Sequence, residues 1–106
     1  MANINEQDKK LMTESLSKLA KFARNAKDKQ ASDEARIALG ELGNIVGRLM
    51  ANSPQEDVAF TSSLTELDGF VESLRHSPEN VEARRRFEVS LGDIEYRVKR
   101  LFGVSI

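Results

Sequence analysis

The sequence predicts an all-α fold, an antiparallel up-down four-helix bundle, and three observations carry that prediction. Apolar residues recur in steps of four and three along most of the chain, two Ser-Pro pairs punctuate it, and no stretch alternates with the period of a strand. The 106 residues suit one domain, residues 1–106, with helices at about 5–29, 32–52, 54–76 and 78–102.

Helix 1 takes Met12, Leu16, Leu19, Ala23 and Ala26 as its apolar seam, with Asn5 and Asp8 as its start signal. Carrying that rhythm onward would put Gln30, Asp33, Gly40 and Asn44 in the core, yet the apolar series restarts at Ala35, Ala38, Leu39, Leu42, Val46 and Leu49. The phase therefore breaks near residues 28–32, and Ser32, followed by Asp33 and Glu34, is the expected cap of helix 2. Neither glycine nor proline enforces that break, so the alternative is one long helix over 5–51 in an intertwined dimer.

Helices 3 and 4 are announced by Ser53-Pro54-Gln55-Glu56 and Ser77-Pro78-Glu79-Asn80. In each, serine caps free amides, proline suits the first helical position, and an acid follows in the first turn; Glu56 also stands at the capping-box spacing from Ser53. Helix 3 then presents Phe60, Leu64, Leu67, Val71 and Leu74, and helix 4 presents Phe87, Leu91, Ile94, Val98 and Leu101. Short connections favour antiparallel neighbours. Gly103 is placed to end helix 4, leaving Val104, Ser105 and Ile106 to fold back over the core or stay free.

Composition narrows the function. With 40% apolar and 31% charged residues the chain reads as globular and water-soluble, and residues 42–55, whose one charge is Arg48, fall short of a membrane span. No secretory signal shows in residues 1–10, so a cytoplasmic location is expected. The lack of cysteine removes disulfides and thiolate chemistry, and the single His76 leaves no multi-histidine metal site. At the end of helix 3, His76 suits a helix cap, not catalysis. Glu66, Asp68 and Glu72 read as a solvated face; no Glu-x-x-His motif and no phosphate-cradling glycine loop accompany them. The expectation is no enzyme activity, no cofactor and no metal.

Two helices carry a second face. Opposite Leu42, helix 2 collects Ile37, Gly40, Asn44, Gly47 and Ala51, with Gly43 on the flank. Each glycine in an exposed helix costs about 0.8–1 kcal/mol against alanine, so close approach of another helix from outside is the expected return, the alternatives being tolerated drift or a tight crossing within a rotated bundle. Helix 4 places Arg85, Val89, Gly92 and Tyr96 opposite its seam, with apolar and aromatic groups where charge is expected. These nine residues form the candidate protein interface, and the expected partner is a second copy in a symmetric dimer or another protein.

The alternative is a nucleic-acid-associated regulator using Lys10, Lys21 and Arg24 of helix 1 and Arg84, Arg85 and Arg86 of helix 4. A net charge of −1 makes this depend on a local patch. The spacings Glu82 to Arg86, Asp93 to Arg97 and Glu95 to Lys99 also predict that much of the helix 4 charge is spent on intrahelical pairs, and consecutive arginines point in three directions. Helix 1, with seven basic and four acidic residues, faces diagonally across from helix 3, with one and five, so the domain should be dipolar.

Overall fold

The computed structural model describes residues 5–51 and 54–104 and is all-α. Its four helices are α1 (Glu6–Arg24), α2 (Lys29–Leu49), α3 (Pro54–His76) and α4 (Val81–Phe102).

α1 starts where Asn5, in an extended conformation, accepts the Asp8 amide at 2.8 Å. It stops earlier than its apolar rhythm suggests. The Asn25 amide turns back to the carbonyls of Lys21 and Phe22, and the Asp28 amide closes a turn on the Asn25 carbonyl at 3.0 Å. Asp28, not Ser32, caps α2, its carboxylate accepting the Gln30 amide at 3.0 Å. Ser32 is instead buried inside α2 and accepts a bond from Arg75 Nε at 2.8 Å. The break at 25–28 rules out the continuous 5–51 helix, and the ionised cap four residues upstream of Ser32 explains the displaced start.

α3 begins at Pro54 as the proline signal predicts; the Ser53 cap and its capping box lie outside the described residues. The second Ser-Pro pair behaves differently. Ser77 to Asn80 form a turn closed by the Asn80 amide on the Ser77 carbonyl at 3.0 Å, with Pro78 at the position where its fixed φ suits such a turn. Asn80 then caps α4 by accepting the Ala83 amide at 3.1 Å, three residues beyond the serine expected to do so. Gly103 ends α4 in the left-handed region, φ 67°, and Val104 folds back onto the core, 2% exposed. Ser105 and Ile106 lie outside the described residues.

The four predicted seams meet in one core, with Ala26, Leu49, Leu64 and Leu101 only partly buried at its margins. Phe22, Ile45, Met50 and Phe102, absent from those seams, are buried too. Phe22 meets Phe87 edge-to-face at 5.6 Å, joining α1 to α4.

Each helix packs on its neighbours in the chain and α1 also packs on α4, whereas among the described residues no Cα of α1 comes within 8 Å of α3, and none of α2 within 8 Å of α4. Those are the diagonals. The cross-links run antiparallel: Arg48 near the end of α2 grips Asp8 at the start of α1, and Arg75 at the end of α3 reaches Ser32 and Asp33 at the start of α2. Ser63 of α3 bonds Asp93 of α4, and Lys27 in the first turn pairs with Glu79 in the last. This is the contact pattern of an up-down bundle.

Candidate functional site

On α2, Ile37 (60% exposed), Gly40, Asn44 and Gly47 face outward; Ala51 is exposed too, but α2 ends at Leu49 with Met50 as its cap, so Ala51 lies in the turn beyond the helix and not on the stripe. On α4, Arg85, Val89 (70%), Gly92 and Tyr96 (62%) do the same. A Cβ built on Gly40, Gly43, Gly47 or Gly92 meets nothing within 4 Å, so none of these glycines serves a tight crossing inside the bundle. The intramolecular account of the glycines is thereby removed.

The two stripes do not merge. α2 and α4 are diagonal, so the stripes look away from each other, and one two-fold contact has access to one of them at a time. Gly40 and Gly43 border a groove between α2 and α3, with Leu39 and Leu64 at its base, Thr61 and Thr65 on the far wall, and Arg36 and Asp68 at the rim. The α3 contribution escaped sequence reasoning because Leu64 reads as plain core and the threonines as ordinary surface. The legible signal was the pairing of small residues on both sides of one seam.

The basic residues are partly assembled. Lys10, Lys21, Arg24, Arg84, Arg85 and Arg86 are all exposed. Because the start of α4 lies beside the end of α1, Arg24 and Arg84 border one groove together with Lys27 and Asp28. The three arginines nevertheless diverge: Arg84 reaches Glu88 at 3.8 Å, Arg86 reaches Glu82 at 3.1 Å, and Arg85 lies beside Val81 and Val89. Asp93–Arg97 closes at 3.1 Å, while the expected Glu95–Lys99 pair is not formed among the described residues. Glu95 is instead half-buried, and loss of water pushes its carboxyl above the ordinary range.

Asp8 is a buried carboxylate that sequence reasoning used only as a start signal. Arg48 clasps it with two bonds, 2.9 and 3.2 Å, and those bonds hold the guanidinium above its ordinary value. Its place four before Met12, on the seam, was the available sign. At the other end, Lys27 holds the Glu79 carboxyl below the ordinary range. His76 is the exposed last residue of α3. Among the described residues no cluster of three or more histidine or carboxylate side chains is arranged to hold a metal ion, and no helix is long and apolar enough to cross a membrane. Comparison with protein-family models, curated proteins and solved structures finds no match.

Proposed function

We infer that this chain is a non-enzymatic, cytoplasmic protein-interaction module that associates with itself, acting as a small adaptor, chaperone or regulator. One observation carries the reading: three glycines on α2 have open space where a Cβ would stand. They cost about 0.8–1 kcal/mol each and meet no neighbour within the domain at the Cβ position, which supports an offset supplied by a partner. Val89 and Tyr96 add exposed apolar area of the kind interfaces use.

Light scattering over a dilution series tests this, with wild type beside the double variant Gly47→Glu, Tyr96→Glu. The reading expects wild-type mass above the monomer, falling on dilution, and a folded monomer for the variant. A wild type that stays monomeric at every concentration removes self-association.

The nucleic-acid reading has one observation in its favour, the shared border of Arg24 and Arg84 between α1 and α4. It expects retention on DNA or RNA that weakens as salt rises and is lost on reversing Lys21 and Arg24; retention unchanged by those reversals removes it.

A further inference from the structure

We propose that the groove where the end of α1 meets the start of α4 is a binding site for a phosphate group, either a free phosphate or one carried by a nucleic-acid backbone. The site stands apart from self-association and gives the nucleic-acid reading a defined point of contact.

Three segments assemble it. Arg24 closes α1, Lys27 stands in the turn that follows, and Arg84 lies at the start of α4; all three border one cavity of about 440 Å³. The short side chains of Ala23 and Ala26 share its lining, which leaves room for an anion between the cations. The turn adds donors of its own. Its closing bond joins the Asp28 amide to the Asn25 carbonyl, and the Asn25 amide turns back into α1. Between them the successive amides of Ala26 and Lys27 make no hydrogen bond among the described residues. Successive turn amides beside cationic side chains form an anion-binding concavity, and a phosphate offers an oxygen to each of several converging donors.

The neighbouring acids leave these donors available. Asp28 is the one carboxylate lining the cavity, and it already accepts the Gln30 amide at 3.0 Å. Arg24 makes no ion pair among the described residues, and Arg84 comes only to 3.8 Å from Glu88, beyond hydrogen-bond length. Both guanidiniums can therefore turn a fork of N–H donors to one phosphate. Lys27 is held by Glu79, but both side chains are exposed, and an ion pair in water is weak enough to yield to a dianion.

Titration of the full chain with inorganic phosphate at constant ionic strength, followed by proton–nitrogen correlation spectra, tests the site. Saturable shifts are expected at the Ala26 and Lys27 amides and at Nε–H of Arg24 and Arg84, with none around Lys10 at the far end of α1. The double variant Arg24→Gln, Arg84→Gln, at two exposed positions, is expected to weaken binding by about tenfold or more through loss of two charged donors, whereas Lys10→Gln leaves it unchanged. Shifts that never saturate, shifts spread over basic residues generally, or a double variant that binds as tightly as wild type overturn the site. A short DNA duplex distinguishes the sources. If it moves the same signals at lower concentration than phosphate, the ligand is a nucleic-acid backbone; if phosphate moves them and DNA does not, it is a free phosphate; if neither does, the site is overturned. Should the double variant lose its helical circular dichroism, Arg24→Gln alone repeats the comparison with the same expected and contrary results.

Discussion

Glu95 shows how a single side chain departs from its helical spacing. Four residues before Lys99, it is set for a surface ion pair, yet it is half-buried and its carboxyl is pushed upward by desolvation. Between the unfolded value and the raised folded one, the folded chain holds a proton at Glu95 that the unfolded chain releases, so this group's contribution to stability falls as pH rises through that interval. Glu95→Gln is expected to raise Tm at pH 7, to change it little at a pH below the carboxylate range, and so to flatten the pH dependence. Thermal melts of both proteins at several pH values check this, and an unchanged pH profile would contradict it. Glu79 is the opposite case. Lys27 lowers its carboxyl, so its contribution is present above the unfolded value and lost as pH falls through the lowered one.

At the scale of elements, caps decide where the periodic segments start. A serine before a proline has the composition of a cap, but the backbone of Ser77 is committed to a turn, and the free amides of α4 are met by Asn80. Asn80→Ala is expected to cost about 1 kcal/mol, whereas Ser77→Ala costs a few tenths at most, since the bonds of Ser77 are made by its backbone. Urea unfolding of the two variants distinguishes them, and equal losses would place the cap wrongly. The same logic sets the α1–α2 break at Asp28, where a charged acceptor meets the Gln30 amide before Ser32 is reached.

The molecule as a whole couples stability to association. Alanine at Gly40, Gly43 and Gly47 together adds three Cβ atoms where nothing stands within 4 Å, so the triple variant is expected to gain about 2–3 kcal/mol of monomer stability. The same Cβ atoms obstruct a close-packed partner, so self-association should weaken as stability rises. Denaturant midpoints and a dilution series on one preparation read both quantities. A variant that gains stability and associates as before would show that the glycines are not a contact surface. The charge layout belongs to this scale too: α1 and α4 are neighbours, each with two more basic than acidic residues, and α3, diagonal to α1, has four more acidic than basic. The predicted dipole survives the shortening of α1, although Lys27 and Lys29 pass to the turn and to α2.

The sequence by itself determined the helical class, the number of helices and most of the core, because apolar spacing in steps of three and four acts through local geometry that any helix shares. It also placed the exposed stripes of α2 and α4, which follow from the same projection. Phe22, Ile45, Met50 and Phe102 escaped that projection because they lie beside the seams and are covered by neighbouring helices, not by their own periodicity. Tertiary structure alone decided that Ser32 is a buried acceptor for Arg75, that Asp8 is clasped by Arg48, and that Gly40 and Gly43 border one groove with Thr61 and Thr65 of α3. Each of these depends on partners far along the chain, and the rotation of one helix against another is set by how whole faces pack, which no local spacing encodes.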